Sequence, residues 1–166
     1  MSASISFSQL FTYAVDDTSV RLPLDALARS AGHIHGLLKL EVSGRVLPHM
    51  GFFGADDVCF NTWVEELSHL VLKLGAAEVA TYTFDEGEQG QPAFVFRRYG
   101  DLLYVSVVEP QLSGAQGDPS YQAVSCHWSE FRAAVSSFFA SFRAALLQQC
   151  PRVGETWWAS HVQPAD

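Results

Sequence analysis

Residues 78–109 read EVATYTFDEGEQGQPAFVFRRYGDLLYVSVVE, and the reading of this stretch decides the fold. Three runs in it, Val79–Phe84, Ala93–Tyr99 and Leu102–Val108, are rich in β-branched and aromatic residues. Such side chains fit a pleated, half-buried surface. Two turn signals separate the runs, Gly87-Glu88-Gln89-Gly90 and Gly100-Asp101. The pattern predicts a three-stranded antiparallel meander. Its first turn carries Asp85, Glu86 and Glu88 with no basic residue among them.

Working outward, two helical stripes flank the meander. Trp63, Leu67, Leu70 and Leu74 recur at helical spacing, widened by Val64 and Val71, and predict a helix over about 61–75. Asp56, Asp57 and Asn61 are its candidate N-caps, and Gly75 its stop. After a Gly- and Ser-rich loop, 110–119, Tyr121–Cys126 reads as a fourth strand. Trp128, Phe131, Val135, Phe138 and Phe142 then share one face of a second long helix, 128–149, which Pro151 closes. Trp157 and Trp158 in the tail are expected to fold back onto the domain, because large apolar side chains rarely cluster in solvent.

Upstream, Ser4–Tyr13 reads as a strand whose alternation is only partial: Ile5 and Phe7, then Leu10 and Phe11. Pro23–Ala31 reads as a short helix. Ile34–Val42 is a strand with Leu38, Leu40 and Val42 on one face, and Ser43-Gly44 turns it into a short partner, Arg45–Leu47. Pro48, Gly51 and Gly54 mark a loop. The expected class is α+β in a single domain of 166 residues. An antiparallel sheet, made of the meander over 78–108 plus the N-terminal strands, is expected to carry both long helices on one face.

The hydrophobic fraction of 48% and charged fraction of 17% place the chain among globular proteins. No apolar run approaches the roughly 18–20 residues that span a bilayer. The beginning, MSASISFSQLFTYAVDD, has neither a basic start nor a continuous apolar segment, so a cytoplasmic location is expected. Cys59, Cys126 and Cys150 form no CxxC pair and read as free thiols. The net charge of −8 falls wholly within residues 53–118, where eleven acids face only Lys73, Arg97 and Arg98. Such a field repels nucleic acid and anionic membranes and speeds encounter with a basic partner. Ordinary solubility charge also accounts for the total, and on charge alone it is the favoured reading.

The search for chemistry yields little. His33 and His35 are two apart and share a face in a strand, and His49 would make a three-histidine set. Nothing in the sequence fixes a third ligand, so neither a metal nor any other cofactor is expected. Cys59 with His69, or Cys126 with His127, would form a Cys–His pair, but neither thiol has an evident activating environment. Glu86 and Glu88 as paired carboxylates would sit on a solvated hairpin tip, with nothing to separate their pKa values. Phosphate-binding glycine patterns are absent, and basic residues are too few for nucleic-acid binding. No catalytic residue is assigned.

The segment YTFDEGEQGQP at 82–92, followed by Phe94-Val95-Phe96 and Gly100-Asp101, resembles small cytosolic immunity proteins. These are encoded beside bacterial polymorphic toxins and the effectors of contact-dependent or type VI secretion. The resemblance takes in the Trp63 helix and the Trp128–Phe142 helix, roughly residues 35–150. It implies a non-enzymatic protein that binds one toxin and occludes its active site; the chain itself is expected as a monomer or homodimer. A toxin with a basic cleft would be met by an acidic rim with aromatic anchors. Asp56, Asp57, Asp85, Glu86, Glu88 and Asp118 are the residues expected to contribute to it. Two other classes stay open. A secretion chaperone would show a large apolar sheet face, and a small enzyme would show a deep cleft holding two or more histidines.

Overall fold

A computed structural model of the chain describes residues 1–87, 90–111 and 114–163. The meander forms where its side chains predict it: β6 (Val79–Phe84), β7 (Ala93–Tyr99) and β8 (Leu102–Val108). Gly100, at φ +58°, supplies the left-handed turn between β7 and β8 that a side chain would resist. A short strand, β9 (Val124–His127), adds to β8, giving the order β6-β7-β8-β9, antiparallel throughout. The expected start of this strand at Tyr121 is taken instead by a turn. There Tyr121 donates its amide to Asp118, and Ala123 has φ 50°.

The N-terminal strands do not join this sheet. They build a second one from β1 (Ala3–Ala14), β2 (Arg21–Pro23), β3 (Ser30–Val42), β4 (Arg45–Val46) and β5 (Val58–Cys59). Its order is β2-β1-β3-β4, with β5 also paired to β3. The two sheets meet through side chains: Ser43 Oγ donates to the Ser125 carbonyl at 2.6 Å, and Arg45 donates to that of Ser120. The expectation of one continuous sheet is corrected here, while the α+β class and its antiparallel strands stand.

The first long helix, α1 (Phe60–Gly75), lies against β3 and β6, and the second, α2 (Trp128–Gln149), against β1 and β8. Both therefore cover the inner faces of the two sheets. Phe60, Phe96, Phe131, Phe138 and Phe142 are fully buried in one hydrophobic cluster to which both sheets contribute. A third helix, α3 (Pro151–His161), was not expected from the sequence. Pro151 closes α2 and also opens α3, where its missing N–H costs nothing. Trp157 is buried there and Trp158 half-buried, both against Phe142.

One irregularity positions the site. The β1–β3 register slips between Ser8 and Phe11, and Gln9 adopts φ 56°. This bulge reverses the alternation of β1. Before it, Phe7 points inward and packs edge-on against Phe138 and Phe142. Beyond it, Phe11 and Tyr13 point to the outer face, beside His35. Gly36 of β3 lies alongside the bulge, where a side chain would come within 2.9 Å of the Ser8 carbonyl oxygen.

Candidate functional site

The even-numbered side chains of β3, Ile34, Leu38, Leu40 and Val42, are buried, which turns His33 and His35 outward together. Their rings lie nearly parallel, 6.3 Å apart. Cys59 of β5 is paired directly opposite His35, so its thiol shares that outer face. The imidazoles and the thiol each offer a ligand atom, and these lie within 4.8 Å of one another.

Behind this cluster stands a buried carboxylate. Asp57 Oδ1 lies 2.7 Å from His35 Nδ1, and Oδ2 accepts the Tyr13 hydroxyl at 2.7 Å. Asp57 is only 4% exposed, so it forms no part of an acidic surface and does not cap α1. The N-cap is Cys59, without a side-chain hydrogen bond. Burial pulls the pKa of His35 below the ordinary imidazole value, against the opposing pull of Asp57. The same burial, reinforced by Asp57, raises that of Tyr13.

A loop roofs the cluster. Gly51 allows it to turn tightly, because a Cβ there would collide with the Gly54 carbonyl. Trp63 Nε1 donates to the Met50 carbonyl at 3.1 Å, and the Trp63 ring packs edge-on against Phe84 and Phe94 of the meander. Buried Gln91 ties the same loop down. With its amide oriented to satisfy both atoms, it donates to the His49 carbonyl at 2.9 Å and accepts from the Phe52 amide at 3.2 Å. From this anchored loop Phe52 and Phe53 project, packed edge to face, and Phe53 is 80% exposed. Phe52, Phe53 and Glu86 line the mouth of a cavity of about 270 Å³ that contains His33, His35 and Cys59. An adjoining depression of about 750 Å³ runs past Phe53 to Tyr13 and Arg21.

The six acids expected on a binding rim separate. Glu86 is exposed at the cavity, and Asp56 is half-exposed and paired with Arg21 at 3.0 Å. Asp85 is half-buried and holds the backbone, accepting the amides of Gly87 and Gln111. Asp118 accepts from Ser120, whose bonds hold its carboxyl below the usual range, and stands 3.3 Å from His49. Glu88 lies outside the described residues. His49 is thereby drawn away from the histidine pair, and His69 is paired with Gln163, away from Cys59. Cys126 is buried, and its pKa is pushed up to about 11, an environment opposite to that of a reactive thiol.

Sequence reasoning missed Phe52, Phe53, Tyr13 and the meeting of Cys59 with His35. The available signals were His-x-His on a strand and paired phenylalanines between two glycines.

No family model matches the chain, and neither does any curated protein or solved structure. No helix of the described residues is long and apolar enough to cross a membrane.

Proposed function

We propose that this chain is a cytoplasmic immunity-type protein that binds a secreted bacterial toxin and covers its active site, using the face around Phe53. The observation that carries this reading is the anchored loop presenting Phe52 and Phe53 to solvent beside Glu86 and Asp56. Folding gains nothing from a phenylalanine left 80% exposed, whereas a partner that buries it gains about 1.5–3 kcal/mol. Aromatic anchors surrounded by a polar rim are the usual energetic centre of a protein interface. The acids supply complementarity to a basic cleft and a faster encounter. The loop is held on both sides, by Trp63 and Gln91, so little ordering entropy is lost on binding.

The experiment is co-expression with toxin domains encoded next to this chain's gene. Restored growth and a co-purifying complex are expected. Reversing charge with Glu86→Lys and Glu88→Lys should slow association and flatten its salt dependence. Association unchanged by that reversal would remove the acids from the interface.

A second reading rests on the two histidines and the thiol sharing one cavity, the arrangement expected of a small enzyme. Cys59, His35 and Asp57 stand in the order nucleophile, base, orienting acid. The two readings part at Phe53→Ser. That change abolishes toxin neutralisation in the first and spares a thiol-dependent activity in the second.

A further inference from the structure

We infer that His33, His35 and Cys59 form a binding site for a zinc-type divalent cation, with Asp57 as the carboxylate that orients His35. The inference goes beyond the binding reading and is independent of any partner.

Three features converge. The first is the donor set. Two imidazoles and one thiolate suit a borderline-soft cation and disfavour calcium or magnesium, which take oxygen ligands. The second is preorganisation by the sheet. His33 and His35 are aligned on one face by the two-residue period of β3, and pairing of β5 places Cys59 opposite His35. Their donor atoms lie within 4.8 Å of one another. Donors around a tetrahedral zinc sit roughly 3.5 Å apart, given bonds of about 2.0–2.3 Å. Closing to that spacing asks for side-chain rotation, which His33 has room for because it is exposed. The third is the support behind the ligands. Asp57 at 2.7 Å from Nδ1 holds the proton there and leaves Nε2 of His35 as the free lone pair. Tyr13 fixes the carboxylate in turn, and Phe11 stacks on the imidazole. Metal-bound histidines characteristically carry such a carboxylate on the far nitrogen. In a surface cluster of two histidines and a thiol assembled by chance, nothing requires a carboxylate behind it to be buried with both oxygens hydrogen-bonded.

Three protein ligands leave one tetrahedral position directed at the cavity, the arrangement of open rather than purely structural sites. Water or a group of a bound partner would complete it.

The test uses metal-stripped full-length protein titrated with Co²⁺ alone, followed by Zn²⁺ competition. The expected result is a sulfur-to-cobalt charge-transfer band with tetrahedral d–d absorption, saturating at one ion per chain and bleached by Zn²⁺. Cys59→Ser should remove the charge-transfer band. His33→Ala, at an exposed position that folding does not need, should weaken Zn²⁺ binding at least 100-fold. Asp57→Asn should weaken it about 10–100-fold. His49→Ala and His69→Ala should leave it unchanged. The inference is overturned if no charge-transfer band appears, if the band survives Cys59→Ser, or if His49→Ala or His69→Ala weakens binding as much as His33→Ala does.

Discussion

The carboxylate of Asp57 meets Nδ1 of His35 at 2.7 Å, buried in the wall of the cavity that holds the two histidines and Cys59. The contact joins the segment before α1 to the middle of β3, and the Tyr13 hydroxyl extends it to β1. A buried carboxylate with both oxygens engaged stabilises only while its partners remain. Asp57→Ala should therefore cost on the order of 3 kcal/mol, and Tyr13→Phe about 1 kcal/mol. Urea unfolding of both variants checks this. Equal, negligible losses would mean that Asp57 is solvated in solution.

The loop that carries the aromatic pair depends on a residue with no side chain. Gly51→Ala should distort the loop, because the added methyl meets the Gly54 carbonyl, backbone that cannot swing aside. The expected cost is about 1–3 kcal/mol of stability together with weakened binding of the proposed toxin partner. Thermal melts and a binding titration of the same variant would show both effects. A variant with wild-type stability would refute the close approach.

Phe53→Ala should behave in the opposite way. At 80% exposure the ring contributes little to the fold, so stability should stay within about 0.5 kcal/mol. Binding should fall by at least about 2 kcal/mol, roughly thirtyfold, as for an interface anchor. Loss of stability without loss of binding would reverse the assignment.

Alkaline pH tests the burial of the tyrosines. Burial pushes Tyr121 up to about 12, and Tyr82 is raised by burial and by its bond to Glu66. The folded state thus favours the neutral phenols. Their contribution is complete below the unfolded value near pH 10 and is lost as pH rises from there toward 12. Phenolate absorbance and circular dichroism, followed together, should show these two rings ionising as the fold is lost. Ionisation of all five tyrosines near pH 10 with the dichroism intact would contradict their burial.

The meander and the long helices were legible because their signals are local. Alternation with glycine turns located β6, β7 and β8 to the residue, and a stripe of phenylalanines located α2. The broken alternation at Leu10 and Phe11 was also visible, and its cause is the bulge at Gln9. Of the site, the shared face of His33 and His35 was legible, and the rest was not, since it depends on pairing between distant segments. β5 is two residues long, and only its register with β3 brings Cys59 to His35. The sequence alone points to Asp57 as a helix cap, because local capping is the commonest role of an aspartate near a helix start. Tyr13 and His35, far from it in sequence, claim it instead. Phe52 and Phe53 run against the expectation that aromatic residues are buried, and that conflict is what marks them.

The central claim is that the Phe53 face is where this protein is bound. Hydrogen exchange on the purified complex with the proposed toxin partner, compared with the free chain, measures it most directly. Increased protection should concentrate in the loop at 51–54 and the adjoining segment 84–87. Protection confined instead to the outer face of the meander, around Val79, Tyr99 and Tyr104, would contradict the claim.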